Sequence, residues 1–234
     1  AALTPAPTPA PSPTPRPLVI ASKFNKAHMD VLLVGVDKNG QADTCAIVAL
    51  RGDSCRLIFV PRNTLSSNEQ PLSGARDVHA AISRLEGILR VRFTYYLEFK
   101  VAGLPTLVDE LNGVSLGTGA LSGEQAAAYL ESGGADEMLR IERQQTLLAA
   151  VLKKAQHTNW LRLIALKYAL ADYHRSNLML TQSVEIFSAL NRVGADDIVF
   201  LTLPVDSVML GQTRCYQMDA YSAGRILDEL YPAN

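Results

Sequence analysis

The sequence is poor in the features that identify several common classes of protein. Its formal net charge is −1, so no basic surface is expected that would attract the phosphates of a nucleic acid. No run of 18 apolar residues occurs, which argues against a membrane-spanning helix within these 234 residues. The 3 cysteines and 4 histidines lack the short spacings of a zinc site, and we expect the cysteines to be buried free thiols.

Signatures of nucleotide binding and of serine hydrolysis are missing as well. The chain has neither a P-loop lysine motif nor a G-x-G-x-x-G pattern. Residues 113–117 match the pattern G-x-S-x-G. A nucleophile elbow needs a strand before its serine and a helix directly after it, whereas a predicted helix precedes this serine and a glycine-rich turn follows it. We therefore interpret the match as coincidental.

Proline is abundant in one place, at the start of the chain. It recurs at every second position from Pro5 to Pro17, a pattern that favours extended polyproline II structure and cannot pack into a core. At about 3.1 Å per residue such a segment would span roughly 50 Å. We predict a disordered or polyproline II linker over residues 1–17, standing off a membrane anchor that precedes it. The folded domain is predicted over residues 28–232.

Strand and helix patterns are mixed along this domain. Apolar runs predict strands over 30–36, 44–50, 55–61, 93–100 and 198–204. Apolar spacing and capping residues predict helices over 75–89, 104–111, 123–130, 139–156, 160–173, 181–193 and 219–231. Ser122 is the predicted cap of helix 123–130, and Thr181 that of helix 181–193. Because the two kinds of element do not alternate regularly, we predict an α/β fold: a single-domain α-β-α sandwich with a mainly antiparallel central sheet flanked by helices.

Charged residues stand at the ends of the first three predicted strands, namely Asp37, Asp43 and Arg62. If both connecting turns close antiparallel hairpins, residue 37 faces residue 43, and residue 43 faces residue 62. Two carboxylates about 5 Å apart repel each other unless a cation lies between them. Mg²⁺ accepts such carboxylates together with phosphate oxygens, and arginine matches a phosphate. A solvated surface ion pair is the alternative interpretation.

A second charged cluster lies at the start of the predicted helix 139–156. Its apolar face includes Leu147 and continues backwards, in steps of three and four residues, to Gln144, Arg143 and Arg140. The helix dipole disfavours cations at this end. Either neighbouring acids neutralise the arginines, or a phosphate or pyrophosphate binds there. The neighbouring acids are Asp136, Glu137 and Glu142.

Taken in order, the motifs of this chain resemble those of the LytR-CpsA-Psr family. From residue 30 to residue 150 they are DVLLVGVD, ADT, IFVPRN, YYLEF with LVDELNGVSL, LSGEQAAAYL and RIERQQ. The segment SNLMLTQSVEIFSAL and the last helix are similar to the family's C-terminal part. The family, which has the older label transcriptional attenuator, transfers glycopolymers such as teichoic acid or capsule from a polyprenyl pyrophosphate carrier to peptidoglycan. The resemblance implies an α/β sandwich with an apolar channel for the polyprenyl tail.

The resemblance also implies roles for particular residues. The family's magnesium-binding acids correspond to Asp37 and Asp43, which would hold Mg²⁺ or Mn²⁺. Its catalytic arginines correspond to Arg62, Arg140 and Arg143. We expect substrate contacts from Lys38, Asn63 and Gln144. The implied partners are a polyprenyl (pyro)phosphate lipid and peptidoglycan or a wall glycopolymer, with no nucleic acid. The implied location is the extracytoplasmic face of the cell membrane, with a single N-terminal anchor outside this sequence.

Three positions depart from the family's pattern. Gln41 stands where an arginine is usual, and Asn63 replaces the aspartate of a Pro-Arg-Asp motif. Residues 130–133 lack two further arginines and include Glu131, which would repel a pyrophosphate. The alternative function is therefore that of a degenerate, non-catalytic protein that binds polyprenyl phosphate or wall polymer. Hydrolysis of the pyrophosphate is a third possible function. The sequence offers no residue that we can assign as the base positioning the attacking water.

Overall fold

The computed structural model describes residues 19–20, 28–117, 119–134 and 136–231. The linker predicted over residues 1–17 and the last residue of the predicted domain, Pro232, lie outside this part of the chain. The described strands are β1 (Val19–Ile20), β2 (His28–Val36), β3 (Ala42–Arg51), β4 (Ser54–Val60), β5 (Val91–Arg92), β6 (Tyr95–Lys100), β7 (Val114–Ser115), β8 (Ala120–Leu121), β9 (His174–Ser176), β10 (Ile198–Thr202), β11 (Val205–Leu210) and β12 (Thr213–Met218). The described helices are α1 (Val78–Leu89), α2 (Leu104–Glu110), α3 (Gly123–Glu131), α4 (Glu137–Gln156), α5 (Trp160–Ala169), α6 (Leu180–Val193) and α7 (Ala220–Leu230).

The central sheet has six strands in the order β10-β4-β3-β2-β6-β9. The pairs β2–β3, β3–β4 and β6–β9 are antiparallel, whereas β10–β4 and β2–β6 are parallel. The predicted α/β class with a mainly antiparallel central sheet is therefore confirmed. The sequence did not predict the short polar edge strand β9, the β11–β12 hairpin or the two-residue strands β1, β5, β7 and β8. The helix α5 ends at Ala169 rather than at residue 173.

Helices cover both faces of this sheet because the apolar side chains of its strands alternate in direction. On one face, Leu32 of β2 belongs to a buried cluster with Leu85 of α1 and Leu227 of α7. On the other face, Phe59 of β4 belongs to a cluster with Ile141 of α4 and side chains of α6. A third cluster joins α2, α3 and α4 at one end of the sandwich. The start of α4 is thus placed against the sheet, beside the ends of β3 and β4.

Local side-chain chemistry fixes where several helices begin. Ser122 and Gln125 form a reciprocal capping box at α3, which confirms the predicted cap. Asp136 caps α4 by accepting from the backbone amides of residues 138 and 139, so the helix begins earlier than predicted. The predicted cap of α6 was wrong, because the helix begins at Leu180 rather than after Thr181.

The three cysteines, Cys45, Cys55 and Cys215, are free and buried, as expected. Cys45 lies opposite Val60 and Cys55 opposite Leu50, so the two thiols on adjacent strands do not face each other. Burial raises the pKa of both to about 12, which keeps them protonated at neutral pH.

None of the helices in the described part of the chain is both long enough and apolar enough to cross a membrane.

Candidate active site

The candidate active site lies where β3 begins, β4 ends and α4 begins. The antiparallel register pairs Cys45 with Val60, so Asp43 lies opposite Arg62 two positions further along. The Nη1 of Arg62 donates to Oδ1 of Asp43 at 2.7 Å. The predicted proximity of these two residues is confirmed, and it follows from the hairpin register alone.

Asp37 does not lie opposite Asp43, because a β-bulge interrupts the pairing of β2 with β3. The register shifts between Gly35 and Val36, so the backbone of Asp37 pairs with Gln41 rather than with Asp43. The Oδ1 of Asp37 accepts from the backbone amides of Asn39 at 2.8 Å and Gln41 at 2.9 Å. The prediction that residue 37 faces residue 43 was therefore wrong, and this carboxylate stabilises its own turn.

Arg140 reaches the same site from the first turn of α4. Its Nη1 donates to Oδ2 of Asp43 at 2.8 Å and to the Asp43 carbonyl oxygen at 3.1 Å. The side chain is buried, and its Nε has no hydrogen-bond partner. Because a buried donor without an acceptor is costly, a bound anion or water oxygen in this place would be favourable.

Glu137 holds the two arginines in position and was not singled out as a site residue. Its buried carboxylate accepts from the backbone amide of Arg62 at 2.8 Å and from Nη2 of Arg140 at 2.9 Å. It also pairs with Nε of Arg62 at 3.2 Å. Local acids were one of the two explanations for the arginines, and Glu137 does neutralise Arg140. Its contact with Arg62 spans 75 residues, which no local sequence pattern shows.

Four other expected site residues have different surroundings. Arg143 donates to the Tyr129 carbonyl at 3.1 Å and places its guanidinium 4.9 Å from the centre of the Tyr129 ring, so it is directed towards α3. Asn63 accepts from the Ser73 hydroxyl at 2.9 Å. Lys38 is exposed in the loop after β2. The Nε2 of Gln144 lies 3.5 Å from Oδ2 of Asp43, a long contact at the edge of the cluster.

The four central groups balance in charge, since Asp43 and Glu137 carry two negative charges while Arg62 and Arg140 carry two positive ones. This balance is relevant to the expected metal ion. Two aspartates suit Mg²⁺ chemically when phosphate oxygens complete the coordination. Both oxygens of Asp43, however, are already engaged by guanidinium groups. Among the described residues, no group of three or more His, Cys, Asp or Glu side chains is arranged to hold a metal. The donor chemistry therefore fits Mg²⁺ only together with a bound phosphate substrate.

The apolar channel expected for a polyprenyl tail stays a prediction. Two concavities, of about 230 Å³ and about 420 Å³, lie along the C-terminal half of α4 near Lys153 and Asp196. Neither is lined by Arg62 or Arg140.

Comparison with known proteins agrees with the fold and with the family that the motifs resemble. One curated relative is the polyisoprenyl-teichoic acid–peptidoglycan teichoic acid transferase TagU of Bacillus cereus, 24% identical over 160 residues. The match covers 54% of this chain and 52% of the relative, so the chain spans about half of that protein's length.

Solved structures show the same architecture at low sequence identity. B. subtilis TagT has a TM-score of 0.73 at 19% identity, covering 89% of this chain and 92% of that one. TagT bound to LIIa-WTA has a TM-score of 0.76 with the same identity and coverage. B. subtilis TagV has a TM-score of 0.75 at 16% identity, covering 88% and 97%. The model of the LytR_cpsA_psr family matches residues 115–231, half of the sequence. The chain therefore belongs to the LytR-CpsA-Psr family.

Proposed function

We propose that this protein is a cell-envelope phosphotransferase that moves a glycopolymer from a polyprenyl pyrophosphate carrier to peptidoglycan. The observation that carries the proposal is the cluster in which Asp43 and Glu137 hold Arg62 and Arg140 side by side. The name of the Bacillus cereus relative supports the reaction class, since it is a transferase of polyisoprenyl-linked teichoic acid to peptidoglycan.

The arginines would act by binding the pyrophosphate. A guanidinium group offers donors in a plane that matches phosphate oxygens, and charge-assisted hydrogen bonds of this kind are the strong ones. Because carboxylates already orient both side chains, little reorganisation is needed when negative charge builds up on the leaving group. An acceptor sugar hydroxyl would attack the glycan-linked phosphorus in line. The bridging P–O bond would break, polyprenyl phosphate would leave, and the hydroxyl proton would pass to solvent.

Mg²⁺ forms part of the proposal, with Asp37 and Asp43 as the residues that would hold it. The ion would neutralise phosphate charge and polarise the phosphorus–oxygen bonds. Asp43 can take part because an arriving pyrophosphate competes for the guanidinium groups that now occupy its oxygens. Arg143 would contribute only if it left the Tyr129 ring.

We also propose that the reaction takes place on the extracytoplasmic face of the cell membrane. The support is the curated relative, whose name states that it acts on peptidoglycan.

The proposal is tested by incubating the protein with a polyprenyl-pyrophosphate-linked glycan, Mg²⁺ and peptidoglycan. Wild type is expected to form glycan-modified peptidoglycan and to lose this activity when EDTA removes the metal. Asp43→Ala should reduce transfer by about 10²-fold or more, because both arginines lose their common partner. Absence of transfer, with wild type and Asp43→Ala indistinguishable, would remove the enzymatic function.

A non-catalytic binding protein is the second candidate, and the placement of particular side chains favours it. Asn63 is engaged by Ser73, Arg143 is directed to α3, and Glu131, the last residue of α3, is exposed. Fewer donors than expected therefore face the phosphate position. Binding of polyprenyl phosphate that is unaffected by EDTA, without any transfer, would establish this function instead.

A further inference from the structure

The helix α5 is apolar on two opposite sides, and one of them faces outward. Leu166 packs into the cluster formed by α2, α3 and α4, and Leu170, one turn further on, is buried. On the other side, Leu161, Ile164 and Tyr168 are 61%, 45% and 76% exposed. These three residues follow the spacing i, i+3 and i+7, which places them on one face of the helix.

Specific contacts fix the rotation of α5, so the outward apolar face does not arise from loose packing. The Nε of Arg162 donates to the carbonyl of Glu110 at 2.5 Å, and its Nη2 donates to the side chain of Asn112. Both acceptors lie at the C-terminal end of α2. At its own C-terminal end, α5 continues into β9, which pairs with β6 of the central sheet. The apolar face is therefore held towards the outside.

The two charged side chains of α5, Arg162 and Lys167, are both cations. Lys167 is exposed on α5 itself, next to Tyr168. An apolar face that includes a tyrosine and is bordered by an exposed lysine is complementary to an anionic lipid surface.

We propose that the outward face of α5, made of Leu161, Ile164, Tyr168 and Lys167, lies on the surface of a bilayer that contains anionic lipids. The three apolar side chains enter the headgroup region, and Lys167 pairs with lipid phosphates. The contact concerns the whole folded domain and goes beyond the transfer reaction, because it needs neither substrate nor metal. It would hold the domain against the membrane independently of any anchor.

Vesicle flotation of the purified protein tests this proposal. Vesicles of phosphatidylcholine with about 30% phosphatidylglycerol should carry the protein, and phosphatidylcholine alone should carry much less. Added salt should release it, because screening weakens attraction between exposed charges and the surface. Replacing the three apolar residues together by serine should reduce the bound fraction at least about tenfold, since apolar burial supplies much of the affinity.

Tyr221 provides a matched control, because it is a helical tyrosine with the same exposed fraction as Tyr168, 76%. Tyr221→Ser should bind vesicles as wild type does, whereas Lys167→Glu should weaken binding to anionic vesicles only. All of these positions are exposed, so the midpoint of thermal unfolding should be the same in every variant. The same measurement would identify a variant that fails to fold. Equal loss from Tyr221→Ser, no binding to any vesicle, or self-association that the triple serine variant abolishes would overturn the proposal.

Discussion

Replacing Arg140 by alanine is expected to reduce glycopolymer transfer by about 10²- to 10³-fold, the typical loss when one charge-stabilising donor is removed. Arg140 contacts both carboxylates of the site, Asp43 at 2.8 Å and Glu137 at 2.9 Å. Its loss removes one of the two guanidinium groups and leaves Asp43 free to pair with Arg62 alone. The rate of transfer from a polyprenyl-pyrophosphate-linked glycan measures the effect.

The same substitution is also expected to destabilise the fold, because Glu137 is buried and would lose a partner. Without Arg140 the cluster has two carboxylates and one arginine, and adding Glu137→Gln removes the excess negative charge, so stability should recover while transfer does not. Arg192→Ala, an exposed arginine of α6, should behave as wild type in both measurements. Transfer at the wild-type rate by a folded Arg140→Ala protein would rule out this residue as part of the site.

Replacing Arg51 by methionine is expected to lower the free energy of unfolding by about 3–5 kcal/mol, the usual cost of leaving a buried charge without its partner. The Nη2 of Arg51 lies 2.8 Å from Oδ1 of Asp30, whose side chain is only 1% exposed. The Tyr231 hydroxyl donates to the same carboxylate at 3.1 Å, and Arg51 lies 5.4 Å from the centre of the Tyr231 ring. This network joins β2 and β3 to the end of α7.

The destabilisation caused by Arg51→Met should depend on pH in a defined direction. Burial raises the pKa of the Asp30 carboxyl above its usual value even though Arg51 opposes the shift. Without Arg51 the pKa of Asp30 rises further. As the pH falls, the carboxyl then takes up a proton at a higher pH in the folded state than in the unfolded state. A carboxyl with a raised pKa costs stability in full above the folded pKa, and this cost declines as the pH falls from the folded pKa towards the unfolded pKa. The difference from wild type should therefore be larger near about pH 7 than near about pH 5.

Urea unfolding of both proteins at the two pH values measures this difference. Arg56→Met is the control, because Arg56 pairs with the exposed Glu229 and such ion pairs contribute little. A difference between wild type and Arg51→Met that is the same at both pH values would show that Asp30 is not the group responsible.

The part of the site that depends on regular geometry could be predicted from the sequence. Antiparallel pairing of β3 with β4 brings Asp43 opposite Arg62, and the apolar face of α4 points to Arg140. The bulge at Gly35 was not predictable in the same way. A Cβ at Gly35 would lie 3.0 Å from Cβ of Thr44, so close packing of the backbone accompanies the register shift. That shift directs Asp37 into its own turn.

Contacts chosen by tertiary packing could not be predicted. Arg143 and Arg140 are three residues apart on one helix, yet Arg143 is held by the ring of Tyr129 and Arg140 by Asp43. Sequence spacing gives the two arginines the same face and does not distinguish their partners. Strand β9 has three polar residues, of which Arg175 and Ser176 are exposed, so it lacks the apolar alternation that identifies a strand.

The central claim is that Arg62, Asp43 and Arg140 form the binding site of a prenyl-linked pyrophosphate. The most direct test is calorimetric titration of farnesyl pyrophosphate, in the presence of Mg²⁺, into wild type, Arg62→Ala and Arg192→Ala. Wild type and Arg192→Ala should bind equally, and Arg62→Ala should bind at least about tenfold more weakly, because a charge-assisted pair is lost. Farnesol should not compete. Equal affinity of wild type and Arg62→Ala would show that this cluster does not hold the pyrophosphate.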